Sequence, residues 1–343
     1  MTKARDLASF LGNNTSLNTI NNAYVAGTLV PSSTNPSIIM NGDFRIDQRN
    51  SGATINPTTF QYGIDRWFYS AAQGSNGYYT MGQSTDAPSG FSNSILITST
   101  TSSSASGLWY VRQNFEGYDV SQLDYGTASA KTTTISFWVK GSMTGTYGVI
   151  LGVLTSPASN YTENYTINVA NTWEYKTITI AGNTTHTPPS GTAKGMRITF
   201  PFGLNPRPVA ASAWGTNDSH GIGGLVDFLG TNGATLQLTG IKWEVGSEAT
   251  DFQHASFGEE LAKCQRYYQH QNAFGAYLHV NYEQKQSIFT FTRMRASPTA
   301  TRTGSANSGT ENTSTITIMN ETSGRVTNSN MGVGGKYNLE AEL

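Results

Sequence analysis

Between residues 38 and 252 the chain is written in short runs that alternate apolar and polar residues, interrupted by Gly, Asn, Ser and Pro. Ile135, Phe137 and Val139 alternate with Ser136, Trp138 and Lys140. Met196, Ile198 and Phe200 alternate with Arg197 and Thr199, and Leu236 and Leu238 with Gln237 and Thr239. A period of two sends successive side chains to opposite faces of a strand, so each run offers one face to a core. No long helical pattern competes, and the reading is all-β: an antiparallel β-sandwich, a jelly roll, over 38–252. Past Gly240 the apolar set moves one place, to Ile241, Trp243 and Val245, which predicts a β-bulge at Thr239-Gly240. Stretches 98–107, 183–193 and 204–224 are read as long loops.

The period then changes. Residues 257–268 read as the one clear helix, inside a connecting segment 253–272. Ser256 is its expected N-cap and Glu259, three residues on, completes a capping box. Leu261, Cys264 and Tyr268 share a face, which makes Cys264 a small buried hydrophobe. Residues 273–343 are expected to form a smaller β domain, with strands over 274–280, 286–295, 315–319 and 336–343. In the final strand Tyr337, Leu339, Ala341 and Leu343 face one way, and Asn338, Glu340 and Glu342 the other.

At the other end, residues 2–11 read as a short amphipathic helix with Ala4, Leu7, Ala8 and Leu11 at helical spacing, followed by an extended linker over 13–37. So short a helix is marginal alone in water and needs a partner surface. Leu7, Ala8, Phe10 and Leu11 are therefore the expected docking residues of the 1–37 segment.

Charge narrows the partners. Asp, Glu, Lys and Arg make up 13% of the chain and the net charge is -1. Without a Lys/Arg cluster to neutralise phosphates, nucleic acid is not an expected partner. No apolar run is long enough for a membrane span, and the first residues lack the apolar core of a signal peptide. One cysteine leaves no intrachain disulfide, so synthesis in a cytoplasm is expected.

The most informative stretch is Ile38-Ile39-Met40-Asn41-Gly42-Asp43-Phe44-Arg45-Ile46-Asp47-Gln48-Arg49-Asn50, followed by Tyr62-Gly63-Ile64-Asp65-Arg66-Trp67. Asn-Gly-Asp is turn chemistry after an apolar strand, and the interleaved Asp and Arg residues are read as paired charges that lock a strand end. This stretch resembles the start of a module of bacteriophage tail-fibre and related receptor-binding virion proteins. Leu238-Thr239-Gly240-Ile241-Lys242-Trp243-Glu244-Val245-Gly246, then Glu259-Glu260-Leu261-Ala262-Lys263-Cys264-Gln265-Arg266-Tyr267-Tyr268, are similar to its end. Ala4-Arg5-Asp6-Leu7-Ala8 and Leu339-Glu340-Ala341-Glu342-Leu343 are similar to the family's chain ends. The resemblance implies a jelly roll like those of carbohydrate-binding modules, in a virion tail, attaching to host surface polysaccharide. It also implies other tail proteins as partners of residues 1–37. Such folds often hold a structural calcium near the first and last strands, and Asp43 and Glu244 are the resembling positions. A homotrimer is expected by analogy with threefold fibres, although no heptads appear.

Aromatics off the core pattern are the expected sugar contacts: Tyr78, Tyr79, Trp138, Tyr161 and Trp214, with Trp214 in a Gly/Pro-rich loop. No catalytic residue, cofactor or metal ligand set is expected. The five histidines show no paired metal spacing, and neither a Gly-X-Ser-X-Gly elbow nor a phosphate-binding loop is present. A glycan depolymerase would need two carboxylates facing each other, drawn from Asp86, Glu116, Asp119, Asp124, Glu163, Asp218 and Asp227. That alternative, and a purely structural collar or decoration protein, stay open beside the tail-fibre reading.

Overall fold

The computed structural model describes residues 24–25, 28–29, 35–70, 77–102, 109–203, 212–216, 222–272, 285–302, 315–328 and 336–343. The expected helix at 2–11, with Leu7, Ala8, Phe10 and Leu11, lies outside the described residues, as does the expected strand at 274–280. The chain divides into two units, residues 1–36 and 37–343. The first contains an antiparallel hairpin, β1 (Tyr24–Val25) with β2 (Thr28–Leu29), inside the segment expected to be an extended linker.

The second unit opens with β3 (Gln61–Tyr62), β4 (Phe68–Tyr69), β5 (Tyr79–Ser84), β6 (Ser94–Ser99) and β7 (Tyr110–Glu116). A short helix absent from the sequence reading, α1 (Gly117–Val120), follows. Next come β8 (Thr133–Gly141), β9 (Gly145–Val153), β10 (Ser159–Ile167), β11 (Glu174–Ile180), β12 (Lys194–Pro201), β13 (Ala213–Gly215) and β14 (Thr235–Val245). They form a seven-stranded sheet, β13-β10-β9-β12-β7-β4-β3, and a five-stranded sheet, β11-β8-β14-β6-β5, with every strand pair antiparallel. The chain passes repeatedly between the two sheets, and Phe115, Val149, Leu151, Ile198 and Phe200 of one meet Ile95, Ile97, Ile135, Phe137, Val139 and Leu238 of the other in a single core. This is the antiparallel β-sandwich that the alternation called for. The bulge is also present: β14 slips register against β8 between Thr239 and Lys242, with Gly240 at φ 59°. Leu236 and Leu238 before it and Ile241 and Trp243 after it all reach the core.

The helix α2 (Phe257–Gln265) carries the predicted capping box, in which Ser256 Oγ accepts from Glu259 N and Glu259 accepts from Ser256 N. Cys264 is buried as expected, but its buried companion on the helix is Glu260, and Tyr268 begins a strand instead of closing the helix. Beyond it lie β15 (Tyr268–Asn272), β16 (Lys285–Thr290), β17 (Thr299–Arg302), β18 (Thr315–Ile318), β19 (Ser323–Asn328) and β20 (Lys336–Glu340). They make two three-stranded sheets, β15-β20-β17 and β16-β19-β18, around a small core of Phe291, Met294, Leu339 and Ala341.

Buried charge joins this region to the sandwich. Glu116 accepts from Arg266 Nε and Nη2 at 3.2 and 2.9 Å and from the Tyr267 hydroxyl at 2.8 Å. Arg49 reaches Glu340 at 3.3 Å and Glu342 at 3.1 Å, and the fully buried Arg66 also pairs with Glu342. Alternation had put Glu342 on the polar side of the last strand. Instead β20 ends at Glu340, and Glu342 turns into this network. The charges of the first motif therefore act partly in place, as Arg45 with Asp43, and partly across the whole molecule.

Candidate functional site

On β8, Ile135, Phe137 and Val139 fill the core, so Ser136, Trp138 and Lys140 stand on the outer face of the five-stranded sheet. The same phase on β11 turns Ile178 and Ile180 inward and leaves Tyr175 44% exposed. Register then sets the aromatic rings side by side. Tyr175 lies opposite Trp138, and Trp138 opposite Thr239. The Tyr175 and Trp138 rings are 5.3 Å apart, tilted by 49°.

The bulge continues this row. A side chain at Gly240 would meet Phe91 Cζ at 2.6 Å and Trp138 Cδ1 at 3.3 Å, so the glycine lets both rings close over the backbone. Phe91 packs edge-on against Phe252 at 5.2 Å, and both contact the His254 ring, at 5.0 and 4.9 Å. The result is an aromatic band, Tyr175–Trp138–Phe91–Phe252–His254, running across the strands.

One side of the band is covered sheet. The 246–256 segment folds back there: Thr134 Oγ1 donates to Gly246 O at 2.9 Å, Thr179 Oγ1 to Ser247 O at 3.0 Å, and Lys242 and Glu244 are fully buried. On the other side stands a polar group. Asp86 pairs with Lys140 and accepts from Trp173 Nε1 at 3.3 Å, and the Lys140 ammonium lies 5.5 Å from the centre of the Trp173 ring. The Lys140 hydrogen bond holds the Asp86 carboxyl below the usual carboxylate range. Gln237 Nε2 donates to Asp86 O and Ser94 Oγ, fixing the carbonyl end of the group. Half-buried indoles beside a fixed carboxylate and an ammonium form a surface that can stack an apolar ring face and read its hydroxyls.

Of the five aromatics expected to contact sugar, the structure brings one, Trp138, to this surface. Tyr79 belongs to the opposite phase of β5: it is fully buried in the core, and its hydroxyl donates to Ser70 O at 2.6 Å. Tyr161 is also a core residue, packed edge-on at 5.5 Å against Trp214. Trp214 sits in the edge strand β13 rather than a free loop, and its indole donates to Ala181 O at 2.8 Å. Tyr78 is half-buried against Trp109. These placements correct the off-core reading for Tyr79 and Tyr161. Sequence reasoning missed Tyr175, Trp173, Phe91 and Phe252. The phase of Ile178 and Ile180 would have marked Tyr175 as outward, whereas Phe91 comes from a turn and has no periodic signal.

The outer face of the seven-stranded sheet is different. Arg112, Asn160, Thr162, Arg197 and Thr199 are buried there, and Ile150 is capped by Ile222 and Leu225. For calcium, the two resembling positions do not fit. Glu244 is engaged by Lys242 and Thr250, and Asp43 by Arg45 and His254, so each carboxylate already faces a side chain that can carry positive charge. Among the described residues no group of three or more His, Cys, Asp or Glu side chains could hold a metal ion, and no helix is long and apolar enough to cross a membrane.

No family model matches this chain, and no curated protein matches it. Among solved structures it is similar to the enzymatically active domain of tailspike protein 4 of bacteriophage CBA120, with 14% identity and a TM-score of 0.33 over 61% of this chain, and it covers 21% of that one. It is similar to a family 4 carbohydrate-binding module, with 18% identity and a TM-score of 0.33, over 60% of this chain and 98% of that one. A family 11 carbohydrate-binding module from Clostridium thermocellum, in complex with a mixed-linked tetrasaccharide, gives 11% identity and a TM-score of 0.29 over 55% and 93% of the two chains.

Proposed function

We propose that this protein is a non-catalytic glycan-binding protein of a bacteriophage tail fibre, which offers the outer face of its five-stranded sheet to a bacterial surface polysaccharide. The observation that carries the reading is the aromatic band centred on Trp138, flanked by Asp86, Lys140 and Gln237. Sugar rings have apolar faces that stack on indole and phenol rings, and the neighbouring polar groups recognise hydroxyls. The tail-fibre part rests on the motifs at 38–67 and 238–268.

Asp86, beside the band, and Glu174, on the opposite side of β11 from Tyr175, suit binding better than hydrolysis. A glycosidase acid must keep its proton near neutral pH, which requires a raised pKa. Asp86 is shifted downwards by Lys140, and Glu174 is down at about 2: hydrogen bonds from Lys176, Val169 and Asn168 outweigh its loss of hydration. Both shifts run opposite to the one a glycosidase acid needs.

Soluble polysaccharides isolated from bacterial surfaces, titrated into the protein and followed by calorimetry and tryptophan fluorescence, test the site. Trp138→Ala should weaken binding by about 5- to 150-fold, since stacking and lost burial are together worth about 1–3 kcal/mol. Equal binding by Trp138→Ala sinks the site, and new reducing ends after incubation sink the non-catalytic reading. Antibody labelling of whole particles in the electron microscope tests the tail location. Light scattering tests the trimer, for which the mass should be three times the 36.9 kDa of one chain.

A further inference from the structure

The covered part of the five-stranded sheet hides two ionisable side chains from solvent, Lys242 and Glu244. They leave β14 on the same side, two residues apart, just past the bulge, and Lys242 Nζ lies 3.1 Å from Glu244 Oε2. Burying such a pair is unfavourable unless the remaining donors and acceptors are met as well. Here they are. Lys242 Nζ donates to Thr250 Oγ1, to Thr250 O at 3.3 Å and to Asp251 O at 3.0 Å. The Glu244 carboxylate accepts from Thr250 N at 2.8 Å and from Thr250 Oγ1 at 2.6 Å. A carboxylate, a hydroxyl and two main-chain carbonyls around one cation are the kind of oxygen set that a hard divalent ion takes.

We propose that the Lys242 ammonium is the built-in cation of this fold: it gathers the 246–256 segment onto the sheet without a divalent metal, and so positions Phe252 and His254 at the end of the aromatic band. The two carbonyls it holds belong to the residues immediately before Phe252. Phe252 in turn is the partner that fixes Phe91 over Gly240. Lys242 is a positioning residue, fully buried beneath the surface it organises. Its part in binding rests on the glycan reading; the oxygen cage does not.

Calcium ion alone is the probe for the metal arm. The full chain, melted in millimolar calcium chloride and in EDTA, should give the same Tm, because an ion bound to the folded state raises Tm with its concentration. A Tm that climbs with calcium and drops with EDTA overturns the proposal. Lys242→Met keeps an unbranched side chain and removes the cation, so amide hydrogen exchange over 249–256 should quicken by about tenfold, the loss of charge-assisted hydrogen bonds. Thr250→Val removes the shared hydroxyl with both charges in place; it should loosen the same amides to a smaller degree, and serves if Lys242→Met does not fold. Unchanged exchange over 249–256 in the folded variants overturns the proposal. Polysaccharide affinity should fall in parallel with that loosening. Exchange and melting are read without any glycan, so a failure of every polysaccharide to bind rejects the platform alone, while the cage is upheld or rejected by its own readouts.

Discussion

Asp65 sits one residue before Arg66 in the first motif, and its two oxygens live in different circumstances. One accepts from Gln48 N at 2.6 Å. The other is buried without a hydrogen bond, with Arg49 Nε 4.0 Å away. Loss of hydration dominates, and the carboxyl is pushed up to about 7 from its usual 3.8. The sign follows directly. Between pH 4 and 7 the folded chain keeps a proton that the unfolded chain has released, so stability falls as pH rises through that window. The depressed acids Asp86 and Glu174 change protonation below it. Tm should therefore decline from pH 5 to pH 8, and Asp65→Asn, which can still accept from Gln48, should flatten the decline. An equally steep decline in that variant would show that another group titrates.

Among the elements, α2 shows how local chemistry and packing share the work. Its capping box satisfies two backbone donors at the first turn, and Ser256→Ala should cost about 1 kcal/mol in denaturant unfolding. At its other end Cys264 is fully buried, and loss of hydration raises its thiol well above the ordinary range. A thiol reagent should leave the native protein unmodified and react once it is unfolded in denaturant; rapid native labelling would mean that the helix opens. Strand β14 does more still. Its first half supplies Leu236 and Leu238 to the core, and its second half supplies Ile241 and Trp243. The bulge between them changes phase at the one glycine over which Phe91 and Trp138 can meet. One irregularity thus serves both the core and the outer surface.

Across the whole molecule, Glu342 ties the end of the described chain to its first motif. Arg66, fully buried, lies with its guanidinium 3.4 Å from the centre of the Tyr267 ring, donates to Asn114 O at 2.6 Å and pairs with Glu342. Arg295 donates to the carbonyls of Ala341 and Glu342 and to Thr192 O. Contacts that run from residue 49 to residue 342 make the sandwich and the small sheets depend on each other. Residues 37–343 should consequently unfold in one calorimetric transition. Glu342→Ala strands a buried arginine and should lower stability by about 3–5 kcal/mol. Two separate transitions in the unaltered protein would refute this coupling.

How much of this was legible beforehand follows from the range of each interaction. Alternation on 135–139, 196–200 and 236–245 marked the strands, the bulge and the core faces, and Ser256 with Glu259 marked a helix start. These are local effects: the side chain's side of a strand and the cap's hydrogen bond depend on residues at most a few places apart. Trp138 was recognisable as outward for the same reason. Tyr79 and Tyr161 were misread because an aromatic residue in a strand looks alike in either phase until flanking core residues set it. Which ring neighbours Trp138 and which carboxylate neutralises Arg66 were decided by tertiary structure alone. Those partners come from positions as distant as 66 and 342, brought together only once the sheets have paired and closed.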